Sequence, residues 1–109
     1  MKLIDQKCVP CRRGSPPASP DEVAEMHTQV PEWTLQAVNG IQQLTRQFSF
    51  SNFVEALAFT NRVGALAEEE DHHPVLIAEW GKVTVTWWTH AVDGLHRNDF
   101  IAAAKCDLL

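Results

Sequence analysis

A long amphipathic segment between two hairpin patterns constrains the fold more than any other feature of this chain. From about residue 52 to residue 70, mostly apolar side chains recur at steps of three and four, which is the period of an α-helix. They are Phe53, Ala56, Leu57, Thr60, Val63, Leu66 and Ala67. Ser51 stands where it can cap the start of this helix, and Pro74 closes its end.

The two hairpins flank this helix. Residues 33–38 and 41–50 alternate as strands around Asn39-Gly40, a pair that tolerates the positive φ angles of a tight turn. Residues 75–80 and 83–90 form the second pair, around Gly81-Lys82. In the last strand, one parity is apolar and predicts the core side: Val83, Val85 and Trp87.

Two shorter helices complete the pattern. Ser19-Pro20-Asp21-Glu22 is a capping box with proline at the first helical position, and it predicts a helix over 20–29 that Pro31 stops. Asn98 can cap a last helix that runs to about residue 108. The order is α-β-β-α-β-β-α, which predicts an α+β domain: a four-stranded antiparallel sheet with helices packed on one face.

Length and charge exclude several function classes. The chain has 109 residues, enough for one domain, and a net charge of −5. A mildly acidic chain lacks the clustered Lys and Arg of direct nucleic-acid binders. No apolar run approaches the roughly 20 residues of a membrane span. The first residues show no apolar core of a secretory signal, so we expect a cytoplasmic protein.

Residues 1–18 are rich in Pro and Gly and lack periodicity, which predicts a flexible arm ahead of a single domain at 19–109. The arm carries a C-x-x-C pair, Cys8 and Cys11, and Cys106 is the third cysteine. The pair resembles half of a zinc site or a redox dithiol. A structural zinc site needs four ligands and there is no second pair, so incidental thiols are the favoured interpretation.

Chemistry-bearing residues concentrate where the long helix ends. His72-His73-Pro74 follows an acidic run that starts at Glu68, and His90 lies near the end of the last strand. Because adjacent residues on a helix diverge by about 100°, both histidines can face one cavity only if the chain leaves helical geometry there. Three interpretations are open: helix-end capping, a metal site completed by Glu68 or Asp71, and general acid–base catalysis.

The spacing of these residues resembles the signature of the pterin-4a-carbinolamine dehydratase family. It runs from Glu68 through His72-His73-Pro74, Trp80 and His90 to Asp99, and the Phe48–Phe53 stretch resembles the family's entry to its long helix. The similarity covers about residues 19–108, so it gives the arm no role.

The resemblance implies a reaction: loss of water from a 4a-hydroxytetrahydropterin, giving a quinonoid dihydropterin, with no metal and no redox cofactor. It implies His72 and His73 as the main acid–base candidates, and His90 as a residue that binds the leaving hydroxyl or shares proton transfer. Glu68 would then orient a histidine or the pterin ring, and Trp33 and Asp99 would bind the substrate. From the residues alone, Trp33 is equally a core tryptophan, and Asp99 suits the start of a helix.

The same family includes proteins that act as dimerisation cofactors of a transcription regulator, which makes an interaction module the alternative function. Another pterin-linked or molybdopterin-linked role is also open. The three histidines together favour the enzyme, because an interaction module has no need of them. The resemblance and the exposed edges of a four-stranded sheet predict a homodimer or homotetramer.

Overall fold

The computed structural model describes residues 2–109 and confirms the predicted order of elements. Its helices and strands are α1 Pro20–His27, β1 Thr34–Val38, β2 Ile41–Ser49, α2 Phe53–Glu70, β3 Val75–Glu79, β4 Lys82–Trp87 and α3 Arg97–Cys106. Two 3-10 turns, Leu3–Asp5 and His90–Val92, are added to the predicted elements. None of the helices in residues 2–109 is long and apolar enough to cross a membrane.

The four strands form one antiparallel sheet in the order β1-β2-β4-β3, with the helices packed on one face, as the sequence predicts. Each hairpin keeps its two strands adjacent, and β2 pairs with β4 in the middle, for example Leu44 with Trp87. The turn at Asn39 and Gly40 has φ angles of 53° and 79°. These positive values are the conformation for which the Asn-Gly pair is suited.

The central strand β4 shows the predicted alternation. Val83, Val85 and Trp87 are completely buried under the helices, whereas Thr84 lies on the opposite face. The strand ends at Trp87, so His90 does not lie on it as predicted. Instead His90 opens the 3-10 turn, which brings the chain back towards α3.

Helix α2 is rotated relative to the predicted apolar face. Its buried stripe is Ala56, Phe59, Val63, Ala67 and Glu70. Phe53 and Leu57 of the predicted face remain 43% and 44% exposed. The helix carries more apolar side chains than one contact with the sheet can cover, so periodicity alone did not identify which of them are buried.

The capping residue of α1 is the one that the sequence predicts, whereas those of α2 and α3 are different residues. Ser19 forms the predicted capping box with Glu22. Helix α2 is capped by Asn52 instead of Ser51, since the Asn52 side chain accepts the backbone N–H of Glu55. Helix α3 begins after His96 instead of Asn98. The Asn98 side chain is bound to the N-terminal arm and is therefore not the cap.

The N-terminal arm, which the sequence predicts to be flexible, packs against the domain. Leu3 is completely buried in the core, and its N–H donates to Oε1 of Gln29 over 2.9 Å. Further along, Cys8 and Val9 contact α2 and α3. Proline and glycine prevent regular structure in this segment, but they do not prevent individual side chains from packing.

Candidate active site

The site begins at the C-terminus of α2, where Asp71 adopts a left-handed conformation with φ 51° and ψ 43°. The N–H of Asp71 donates to the carbonyl of Glu68, and the N–H of His72 donates to that of Ala67. This is a Schellman ending, which usually takes glycine at the left-handed position, although Asp tolerates it. The turn carries His72 and His73 out of the helix, as the predicted convergence requires.

His72 is held on the inner side of this turn. Its Nε2 lies 2.6 Å from Oδ1 of Asp99, and its ring stacks on Trp87 with centroids 5.5 Å apart and planes 12° apart. The His72 side chain is 11% exposed and that of Asp99 is completely buried. The second oxygen of Asp99 accepts from the Thr89 hydroxyl at 2.8 Å and from the backbone N–H of His96 at 2.9 Å.

Three partners therefore fix the Asp99 carboxylate, and it fixes the His72 ring in turn. A carboxylate that is hydrogen-bonded on both oxygens is held in one orientation, so it orients the imidazole that it contacts. Asp99 is closed off from solvent and lies behind His72, and its predicted substrate-binding role stays a prediction. Its side chain also accepts a backbone N–H at the start of α3, the role that its sequence position suggested.

His73 lies on the solvent side. Its Nε2 is 3.1 Å from Oε2 of Glu68, and the two side chains are 58% and 80% exposed. Exposed pairs of this kind are weak, because water competes for both groups. Glu68 thus contacts one of the histidines, and it does so at the surface.

His90 approaches from the other side, at the start of its 3-10 turn. Its ring lies 4.7 Å from that of Trp88, tilted by 36°. The turn is closed at its base by Thr89, whose N–H donates to the carbonyl of Gly94 over 2.8 Å. Thr89 also contacts Asp99, so the turn bearing His90 and the carboxylate behind His72 are connected directly.

The three histidines line one open cavity of about 370 Å³. The rest of the lining comes from the end of α2, the 3-10 turn, the start of α3 and the arm: Glu70, Asp71, Thr89, Ala91, Asn98, Cys8, Val9, Pro10 and Cys11. A cavity of this size suits a small bicyclic ligand. The structure thus brings His72, His73 and His90 together around one cavity.

The arm forms one side of the cavity, and two buried polar side chains hold it there. Glu70 Oε1 accepts the N–H of Cys8 at 2.9 Å, while Oε2 pairs with the Lys105 ammonium at 3.2 Å. Asn98 accepts the N–H of Val9 at 3.0 Å and donates to the Val9 carbonyl at 2.6 Å. Sequence reasoning missed both residues, because nothing in their local pattern marks them as partners of a distant segment.

Burial and neighbouring charges shift the pKa values of three groups that line the cavity. Burial, reinforced by the charge of Glu70, raises the pKa of the Cys8 thiol from 9.0 to about 12. Burial also raises the pKa of Cys11. For Glu70, burial acts to raise the pKa, but the Cys8 N–H and Lys105 outweigh it and the pKa is lowered. The cavity therefore has neutral thiols on one side and a charged carboxylate beneath them.

Trp33 does not line this cavity, so its predicted role at the substrate stays a prediction. It is 1% exposed, its indole N–H donates to Oδ1 of Asp107 at 2.8 Å, and its ring packs edge-on against Phe48. The alternative interpretation, a core tryptophan, describes it. Within residues 2–109, no group of three His, Cys, Asp or Glu side chains is arranged to hold a metal ion.

Fold and site together define a class: a small α+β protein with three histidines and a buried carboxylate at one cavity beside its sheet. The model of the pterin 4 alpha carbinolamine dehydratase family matches residues 16–109. This chain belongs to that family.

Individual relatives agree with this assignment. A protein from Syntrophotalea carbinolica that carries the name of the same family is 54% identical over 108 residues. The match covers 99% of this chain and 96% of the relative. One from Gloeobacter violaceus is 51% identical over 109 residues, covering 100% and 94%. The crystal structure of a protein from Brucella melitensis, titled transcriptional coactivator/pterin dehydratase, superposes with a TM-score of 0.75 at 30% identity, covering 84% of this chain and 96% of that one.

Proposed function

We propose that this protein removes water from a 4a-hydroxytetrahydropterin by histidine acid–base catalysis. The observation that carries the proposal is the convergence of His72, His73 and His90 on one cavity, with the first of them held by a buried carboxylate. The family match and the names of the relatives support the dehydratase class. The histidine mechanism rests on the geometry.

The reaction needs one proton to move in each direction. A base takes the proton from N5 of the pterin, the C4a–O bond breaks as N5=C4a forms, and an acid protonates the departing hydroxyl so that it leaves as water. Imidazole titrates near neutral pH, so histidines serve both roles.

The hydrogen bonds of His72 indicate which histidine is the base and which two act on the leaving hydroxyl. With Asp99 accepting at Nε2, the proton of neutral His72 belongs on Nε2, and the lone pair on Nδ1 is left as a base. His73 and His90 line the exposed side of the same cavity, where His73 protonates the hydroxyl and His90 holds it. Glu68 orients His73, and the stacked Trp87 ring keeps His72 in plane.

The decisive experiment adds the purified protein to a freshly generated 4a-carbinolamine and follows the appearance of the quinonoid dihydropterin. We expect a large acceleration over the spontaneous decay, unchanged after exhaustive chelation. No acceleration at micromolar enzyme would reject the proposal, and loss of the rate on chelation would replace acid–base catalysis with a metal mechanism.

We also propose that the protein works as a homodimer or homotetramer. Helix α2 exposes Phe53, Val54 and Leu57, and edge strand β3 exposes Val75 and Ile77. Apolar side chains beside an unpaired strand edge are typical of association surfaces. Sedimentation at micromolar concentration should show a species of two or four chains, and a monomer alone would contradict this.

A further inference from the structure

The N-terminal arm has no role in the chemistry described so far, yet it occupies a large part of the cavity wall. Four consecutive residues, Cys8 to Cys11, line the same cavity as the two histidines that follow α2 and the one in the 3-10 turn.

The contacts that hold the arm are specific. Asn98 makes two hydrogen bonds to the backbone of Val9, one as acceptor and one as donor, and its Nδ2 also lies 3.3 Å from Sγ of Cys11. Asn98 is 2% exposed, so these bonds form away from competing water. Leu3, buried in the core, fixes the arm at a second point outside the cavity lining.

The wall that results is mostly apolar and uncharged. Val9 and Pro10 contribute hydrocarbon, and burial keeps both thiols in their neutral form at physiological pH. Sulfur and aliphatic groups contact flat aromatic rings favourably. Neutral thiols are also poor nucleophiles, so this environment does not suit a redox dithiol.

We propose that residues Cys8–Cys11 form a binding wall for the pterin ring, and that Asn98 is the residue that positions this wall. The inference rests on the proposed function for the identity of the ligand. The arm supplies no acid or base, so it contributes to substrate affinity and not to the chemical step.

The first test compares three variants of the full chain. Asn98→Ala removes the bonds to Val9, and Leu3→Ala loosens the arm at a point that does not line the cavity. Asn61→Ala, an exposed asparagine of α2, is the matched control. We expect both arm variants to raise KM for the carbinolamine roughly three- to tenfold with kcat held within about twofold, and the control to match wild type.

Three results would overturn the proposal. The first is an unchanged KM in both arm variants. The second is a raised KM in Asn98→Ala alone with Leu3→Ala folded by circular dichroism, because Asn98 would then act on the substrate by itself. A fall in kcat at constant KM would also contradict a binding role.

Thiol protection gives a second measurement that does not depend on turnover. Alkylation of Cys11 by iodoacetamide should be slowed by saturating 7,8-dihydrobiopterin in the wild type, and less so in Asn98→Ala. Cys106, which is completely buried, is the internal control. If the protein proves inactive, the proposed function fails, but protection of Cys11 would still establish the wall; absence of protection would refute it.

Discussion

The inner and outer sides of the cavity hold the same pair of groups, a histidine and a carboxylate, in opposite surroundings. Inside, His72 and Asp99 are 2.6 Å apart and nearly closed to solvent. Outside, His73 and Glu68 are 3.1 Å apart and mostly exposed. The two histidines are neighbours in sequence, so residue type and position along the chain do not explain the difference.

What separates them is the left-handed Asp71 and the partner that each ring finds. His72 turns inward to a carboxylate 27 residues away, which is itself held by Thr89 and His96. His73 turns outward to a carboxylate on the last turn of α2, five residues before it in the chain. A ring fixed by buried partners keeps one tautomer and one orientation, whereas an exposed ring adjusts to its substrate.

The largest effect expected is on the rate. His72→Ala and His73→Ala should each slow dehydration by about 10²–10⁴-fold, because each removes a general acid or base. His90→Ala should also slow it, with a larger share in KM. Steady-state assays on the three proteins decide this, and full activity in His72→Ala or His73→Ala would show that the site is assigned incorrectly.

Removing the inner carboxylate should destabilise the protein far more than removing the outer one. Asp99→Ala leaves three polar partners unsatisfied in a buried place and should lower the free energy of unfolding by about 3–5 kcal/mol. Glu68→Ala is the matched control at the surface and should cost less than about 1 kcal/mol. Urea denaturation measures both, and equal losses would contradict the contrast.

Removing the two histidine rings should show the same contrast in stability between the inner and outer sides, with smaller losses. His72→Ala loses the stack on Trp87 and leaves Asp99 without one partner, for an expected cost of about 1–3 kcal/mol. His73→Ala loses one exposed pair and should fall within about 0.5 kcal/mol of wild type. Thermal unfolding followed by circular dichroism gives both values. A destabilised His73→Ala would mean that the outer pair is also structural.

The smallest expected effect is on the pH dependence of stability. It comes from His96, whose backbone N–H binds the buried Asp99 carboxylate. Burial lowers the pKa of His96 below its ordinary 6.5, although Asp99 opposes this. The unfolded chain therefore binds a proton first as the pH falls, and stability declines from about pH 6.5 downwards. His96→Asn keeps a capping side chain that does not titrate. Its unfolding midpoint should change less between pH 7.5 and 5.5 than that of wild type; an identical slope would exclude His96 as the cause.

Local signals made most of the fold predictable. Asn39-Gly40, the Ser19 capping box and the alternation in β4 act within a few residues of themselves, and the structure has each where the sequence places it. The cap of α2 was misplaced by one residue, since Ser51 and Asn52 are both good caps and only the packing of the helix selects between them.

The site was predictable only in part, because local signals place the histidines but not their partners from distant segments. The exit of two histidines at a proline-terminated helix follows from local geometry. The hold of Asp99 on His72, the clamp of Asn98 on Val9 and the burial of Trp33 against Phe48 are contacts between distant segments. Such contacts depend on the finished fold, so no pattern within one segment reveals them.

The clamp between Val9 and Asn98 also bears on the order in which the protein folds. It joins positions 89 residues apart, so the loop that it closes contains almost the whole domain. The entropy of closing such a loop is recovered only once the sheet and α2 have brought the ends together, and we expect the arm to dock last. A growing chain that still lacks α3 already carries all three histidines. It has neither the carboxylate that holds His72 nor the amide that holds the arm, so the cavity takes shape only after the last helix has been made.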